Sequence, residues 1–349
     1  MTRIIKILIP VMLLALAACS NENSSAEDGG TLEVYTTVFP LKSFTEQIGG
    51  DTVQVETIYP KGVDIHTYEP TQQDMVGFAE GDLFIYTTDE FDQVANTIKN
   101  AVDGHTEFLP AAADISDEEL LEYDHDHEHE EHGHEEDDEH GHEEHEEHGH
   151  EEHEDHEEHE HEEHEDHGHE EHHHDHGSTD PHIWLDPVFS QSMAEAIKDK
   201  LIALNPEEAS MYEENYEALI SDLEEIDQEL AAVTDETARD TVYISHESIG
   251  YLADRYGFEQ AAINGLNNEE PSQQELMTIV DDIESHNIDY ILYEQNITSR
   301  ITDTIQNSTD TEPLEFHNLE VLTADDPDDA TYQSIMRENI SVLEKALNE

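Results

Sequence analysis

Six histidines stand apart from a histidine-dense stretch in the middle of this 349-residue chain: His66, His105, His182, His246, His286 and His317. Three of them occupy turn-rich or strand-ending contexts. His66 lies in Gly62-Val63-Asp64-Ile65-His66-Thr67-Tyr68-Glu69-Pro70-Thr71, between a strand signal and a helix signal. His182 sits in Asp180-Pro181-His182-Ile183-Trp184-Leu185-Asp186-Pro187, a turn pinned by two prolines. His246 follows the β-prone run Val242–Ser245 and precedes a helix. Glu294 ends the strand-like Tyr290–Tyr293, although a carboxylate there also suits helix capping before Thr298. Taken singly, a histidine in such a turn is more often structural than a ligand. Taken together, three imidazoles and a carboxylate form an N₃O donor set, and imidazole in a tetrahedral shell suits Zn²⁺. A closed four-ligand shell argues for binding, because catalytic zinc keeps an open position. No helical His-Glu-x-x-His places a base near His66, so no catalytic residue is assigned and the chain reads as a non-enzyme.

The other 21 of the 27 histidines lie between Glu122 and His176, in repeats such as His-Glu-Glu-His and His-Gly-His. The same stretch has 29 Asp or Glu and no Lys or Arg. So little apolar surface cannot offset chain entropy, and the stretch reads as a disordered insertion when free of metal. Its imidazoles are auxiliary metal ligands by expectation, foremost His125, His127, His129, His132 and His134 at the start and His172, His173, His174 and His176 at the end. A merely solvated acidic loop is the bland alternative. Over the whole chain 90 acidic residues face 12 basic ones, a net charge of −78. Nucleic acid, which requires clustered Lys and Arg, is excluded as a partner, and cations are favoured. Acidity outside the stretch also fits adaptation to high salt or high pH.

These residues need elements to carry them. The chain opens with Arg3 and Lys6 before an apolar run from Ile7 to Ala18, too short to span a bilayer comfortably and so read as an export signal. Leu16-Ala17-Ala18-Cys19 resembles the bacterial lipobox, with cleavage before Cys19 and a lipid on its thiol. Cys19 is the only cysteine, so no disulfide forms. The expected organisation is a signal over 1–18, a lipidated tether over 19–30 and a first α/β lobe over 31–121. The insertion follows over 122–177, the end of the first lobe over 178–204, a linking helix over 205–236 and a second α/β lobe over 237–349. In the first lobe β-α-β-α-β order appears in Leu32–Thr37, Pro40–Gln47, Val53–Ile58, Thr71–Ala79 and Leu83–Tyr86. Tyr212, Tyr216, Leu219, Leu223, Ile226 and Leu230 at helical spacing mark the linking helix. Alternation resumes from Thr241, and Tyr332 to Leu347 closes the chain as a helix. The predicted fold class is α/β, with two Rossmann-like lobes joined by a long helix and ligands near the carboxyl ends of the strands.

With these segments in order, the sequence resembles the zinc-specific branch of the metal-binding receptors of ABC importers, the cluster A-I or cluster 9 solute-binding proteins. The resemblance is carried by Gly62–Thr71, Asp180–Pro187, the run from Ser245 to Gly257, and Tyr290–Ser299. It implies a metal site in the interlobe cleft with His66, His182, His246 and Glu294 as ligands. It also implies transported Zn²⁺ rather than a resident cofactor, and a likeness to monomeric receptors that serve an ABC permease and its ATPase subunit. The location implied is extracytoplasmic, on the outer face of the cell membrane. Relatives that take manganese carry a carboxylate at the third position, where this chain has His246. A manganese or iron receptor of the same fold and a surface adhesin are the rival readings; an extracytoplasmic zinc hydrolase would need the missing base.

Overall fold

Alternating burial along Leu32–Thr36 makes β1, and Pro40 in the first turn starts α1, Phe39–Gly49. Helix α1 stops at Gly50, whose φ of 52° suits glycine. After β2 (Val53–Thr57) a long loop leads to α2 (Gln72–Phe78), which opens on a capping box between Thr71 and Asp74. Next come β3 (Leu83–Tyr86), α3 (Gln93–Ala101) and β4 (Glu107–Pro110). All pairings are parallel, in the order β2-β1-β3-β4. The computed structural model describes residues 30–101, 106–122, 179–295 and 300–349. The segment read as an export signal, Cys19, His105 and the histidines of the insertion lie outside the described residues.

The chain re-enters at Thr179, which forms an antiparallel bridge with Glu122. Asp186 then caps α4 (Pro187–Leu204) by accepting from the backbone N–H groups of Val188 and Phe189. Helix α5 (Ala209–Thr234) spans 26 residues, about 39 Å at 1.5 Å per residue, and buries Tyr212, Leu219, Leu223, Ile226 and Leu230 along one stripe. The second lobe runs β5 (Thr241–His246), α6 (Gly250–Tyr256), β6 (Glu259–Asn264), α7 (Gln273–His286), β7 (Tyr290–Glu294), α8 (Arg300–Ser308), β8 (Glu312–Phe316) and α9 (Tyr332–Asn348). Its sheet order, β6-β5-β7-β8, repeats that of the first lobe and is again parallel throughout.

The predicted architecture of two α/β lobes and a long helix is therefore present, with one difference in each lobe. Strands β4 and β8, and the helices before them, extend the sheets by a strand that the sequence had not suggested. The largest apolar core does not respect the lobes. Val34 and Leu83 of the first sheet, Val242 and Ile244 of the second, and the inner faces of α1, α4, α5 and α9 belong to one continuous buried cluster. Smaller clusters cover the outer face of each sheet.

Candidate metal centre

Each sheet reverses direction of growth beside its first strand, and the carboxyl ends there are where α/β sheets bind ligands. The loop after β2 carries His66, whose backbone N–H donates to Asp64 Oδ1 at 2.9 Å. The turn before α4 carries His182, and Asp180 Oδ1 holds both its backbone N–H and its ring Nδ1 at 2.8 Å. His246 is the last residue of β5. The fourth member comes from the segment between β8 and α9: Glu320. One donor atom from each of His66, His182, His246 and Glu320 lies within 4.8 Å of all the others. His182 Nε2 stands 3.3 Å and His66 Nε2 3.7 Å from Glu320 Oε1. The ring of His246 is 5.4 Å from that of His66 and 5.0 Å from that of His182, centroid to centroid. His182, His246 and Glu320 are buried, and His66, His182 and Glu320 line a small cavity together with Tyr59, Asp92, Trp184 and Asn267.

Burial disfavours charge at every one of these groups, and their mutual attraction decides the outcome. For His66 burial wins over Glu320, and its pKa falls. For His182 burial is outweighed by Asp180 and Glu320 together, which lift it to about 10. Burial also opposes charge on Glu320, but the hydrogen bond from His182 and the nearby imidazoles bring it down to about 2. His246 is raised, since Glu294 overcomes its burial. One atom is left over. His66 Nε2 is buried with no hydrogen-bond partner, although it faces the other three donors.

The placement of the predicted residues is mixed. The structure brings His66, His182 and His246 together. Glu294 lies outside that group: it is buried, and both its oxygens are engaged behind His246. Its Oε2 lies 3.0 Å from His246 Nδ1 and accepts from Asn318 Nδ2 at 2.8 Å, while Oε1 accepts from the Ser248 hydroxyl. The carboxylate that joins the three histidines is Glu320. The signal that could have found it is the Leu319-Glu320-Val321-Leu322 run, a lone carboxylate among apolar residues in an otherwise polar connection. The remaining described histidines are elsewhere: His286 is exposed beside Asp282 on α7, and His317 is buried beside Asp326.

Two parallel-sheet lobes on a shared helical base, closing three imidazoles and a carboxylate between them, define a two-lobed receptor for a metal ion. The chain belongs to the family of zinc-uptake complex component A, periplasmic, whose family model matches residues 34–346. It is 29% identical over 345 residues to the high-affinity zinc uptake system protein ZnuA of Bacillus subtilis, covering 97% of this chain and 96% of that one. It is 28% identical over 357 residues to the zinc-binding lipoprotein AdcA of Streptococcus pneumoniae, and spans 62% of that longer protein. Among solved structures, the Zn(II)-bound ZnuA-like domain of Streptococcus pneumoniae AdcA superposes with a TM-score of 0.67 at 24% identity. That match covers 92% of this chain and 100% of the domain, and at this identity it speaks for the fold.

Proposed function

We propose that this chain captures Zn²⁺ between its lobes, outside the cytoplasm, and delivers it to the permease and ATPase subunit of an ABC importer, with His66, His182, His246 and Glu320 as the four ligands. The observation that carries the ligand set is His66 Nε2, a buried nitrogen without a hydrogen-bond partner among three further donor atoms. Leaving a polar atom so placed is costly unless something else takes its lone pair. Three nitrogens and one oxygen fill a tetrahedral zinc shell, and no position remains for an activated water, which agrees with a carrier rather than a hydrolase. Manganese, which prefers oxygen donors, is less well served by three imidazoles.

Capture proceeds from residues already arranged for it. Asp180 on His182 Nδ1 and Glu294 on His246 Nδ1 set the orientation of these rings and leave Nε2 for the ion. His246 Nε2 meets the Leu266 carbonyl at 2.9 Å, a contact given up when zinc replaces the proton. Glu294 is thus an orienting residue, and Glu320 supplies the negative charge in the shell.

Outside the described residues, the same reading keeps a lipid on Cys19 as the anchor and the histidine-rich insertion as a weaker collector of several ions. Among the described residues no helix is long and apolar enough to cross a membrane. The insertion departs from the lobe at Glu122 and returns at Thr179, which are bridge partners, and Asp180 follows immediately.

Zinc titration against a chromophoric chelator tests this directly. The wild type takes up several ions, one of them tightly and in preference to Mn²⁺. Replacing residues 123–178 with an Asn-Gly turn, the shortest loop such a pair accepts, leaves the tight ion alone. His246→Ala and Glu320→Ala lose it. A tight site that survives Glu320→Ala and disappears in Glu294→Ala reverses the ligand assignment.

A further inference from the structure

Glu320 belongs in sequence to the second lobe but is mounted on the first. The Glu320 carbonyl accepts from the Phe39 N–H at 3.0 Å, and the Leu322 carbonyl from the Gly62 N–H at 2.8 Å. The Asn318 carbonyl accepts from the Trp184 indole at 2.8 Å. To make this crossing the chain turns sharply at Leu319, whose φ is 59°. That is left-handed backbone, disfavoured for a residue with a Cβ, and it persists only where the surroundings enforce it.

Besides Trp184, two buried side chains outside the metal cluster meet this turn: Asn318, whose Oδ1 accepts the Glu320 N–H at 3.1 Å, and His317, which takes the amide of Leu319 itself. His317 Nδ1 accepts the Leu319 N–H at 2.9 Å. An amide nitrogen can only donate, so Nδ1 carries no proton and the ring hydrogen is on Nε2. Nε2 donates to Asp326 Oδ2 at 3.2 Å, and the same oxygen accepts the Thr323 N–H. The backbone of His317 is fixed from α9: Asn339 Oδ1 accepts its N–H at 2.9 Å, and Asn339 Nδ2 donates to its carbonyl at 2.7 Å. The imidazole thus ties the turn at Leu319 to the far end of the loop at Asp326, with Glu320 between the two fastenings. Leu319 is fully buried, so no water replaces the ring as acceptor for its N–H.

We infer that His317 is a positioning residue for the metal site: it holds the left-handed turn that brings the Glu320 carboxylate to the three histidines. This role rests on the reading of Glu320 as the fourth zinc ligand. It predicts that His317 governs zinc affinity chiefly through Glu320.

The test is a double-mutant cycle on the full chain, read by zinc competition, by the visible spectrum of the Co²⁺-loaded protein and by thermal unfolding of the metal-free protein. His317→Gln can reach Asp326 but not the Leu319 N–H; it weakens zinc by about 10- to 100-fold, as losses behind a metal ligand do, and alters the Co²⁺ bands. His317→Asn, whose Oδ1 takes the place of Nδ1, recovers most of that affinity. In a Glu320→Gln background, His317→Gln causes no further loss. Equal losses in both backgrounds, equal behaviour of the Asn and Gln variants, or a lowered unfolding temperature with unchanged zinc affinity would each overturn the inference. If Glu320→Gln alone leaves zinc affinity intact, the ligand assignment falls first. If it weakens zinc while both His317 variants bind normally, only the role of His317 falls. Both variants keep a polar group at the buried position, so the cycle does not depend on an apolar replacement that fails to fold.

Discussion

His246 has both ring nitrogens engaged, Nδ1 with Glu294 and Nε2 with the Leu266 carbonyl, and only the second contact is exchangeable for an ion. Glu294→Gln keeps the shape but removes the charge behind the ring, and zinc affinity should fall about 10- to 100-fold. The Co²⁺ spectrum should still report four ligands, because the first shell is intact; loss of the tetrahedral bands would return Glu294 to that shell. A second expectation concerns protons. Metal-free His182 is held up to about 10 by Asp180 and Glu320 against its burial, so at neutral pH it carries a proton on each nitrogen. Zinc needs the lone pair of Nε2 and must expel that proton. Affinity therefore rises with pH until about 10, and uptake at neutral pH releases protons. Calorimetry in two buffers of different ionisation enthalpy measures the release; identical heats in both would contradict it. The three clustered histidines were legible in the sequence because each sits alone in a turn with little else to explain it. Glu320 was not, because among 90 acidic residues one more carboxylate draws no notice.

Helix α3 begins at an acid that is buried as well as capping. Asp92 Oδ1 accepts the Ala95 N–H at 3.0 Å, and burial pushes its pKa up to about 6. Its folded value lies above its unfolded one, so its ionisation opposes folding. The penalty is absent below about 4, grows as pH rises, and is complete above about 6, on the order of 3 kcal/mol. Asn caps a helix as well as Asp does and carries no charge. Asp92→Asn should therefore unfold at a higher temperature than wild type at pH 8 and at the same temperature near pH 4. A gain of equal size at both pH values would mean the effect is not electrostatic. Elements with strong periodicity, such as α5 and α9, were legible from their apolar spacing. Strands β4 and β8 were not, and both contain proline: Pro110 closes one and Pro313 lies within the other. Proline is tolerated only where a strand has a free edge, and β4 and β8 are the outer strands of their sheets. The missed strand in the second lobe also hid Glu320, since the connection that carries it starts at Phe316.

At the scale of the molecule, one apolar core runs beneath both lobes, and polar contacts sew them together above it. Arg255 of α6 pairs with the buried Asp186 at the start of α4 and lies 5.1 Å above the Phe189 ring. Tyr251 donates to the Asp180 carbonyl at 2.8 Å, and Tyr332 to the Trp184 carbonyl at 3.0 Å. Opening the cleft widely would expose part of that core and break these bonds, so zinc should enter and leave by local movement near His66 and Leu266. Solution scattering of the variant lacking residues 123–178 should give the same radius of gyration with and without zinc; a marked contraction on loading would show that the lobes are hinged. The bridge between Glu122 and Thr179 bears on a different property. Because the two ends of the insertion are fastened to each other, the lobe has no means of registering how much chain lies between them. Doubling that chain adds only about 0.6 kcal/mol of closure entropy. On the proposed collector role, a lineage facing scarcer or more erratic supplies of metal could multiply the histidine repeats by simple duplication of short stretches of gene while the site between the lobes stays untouched.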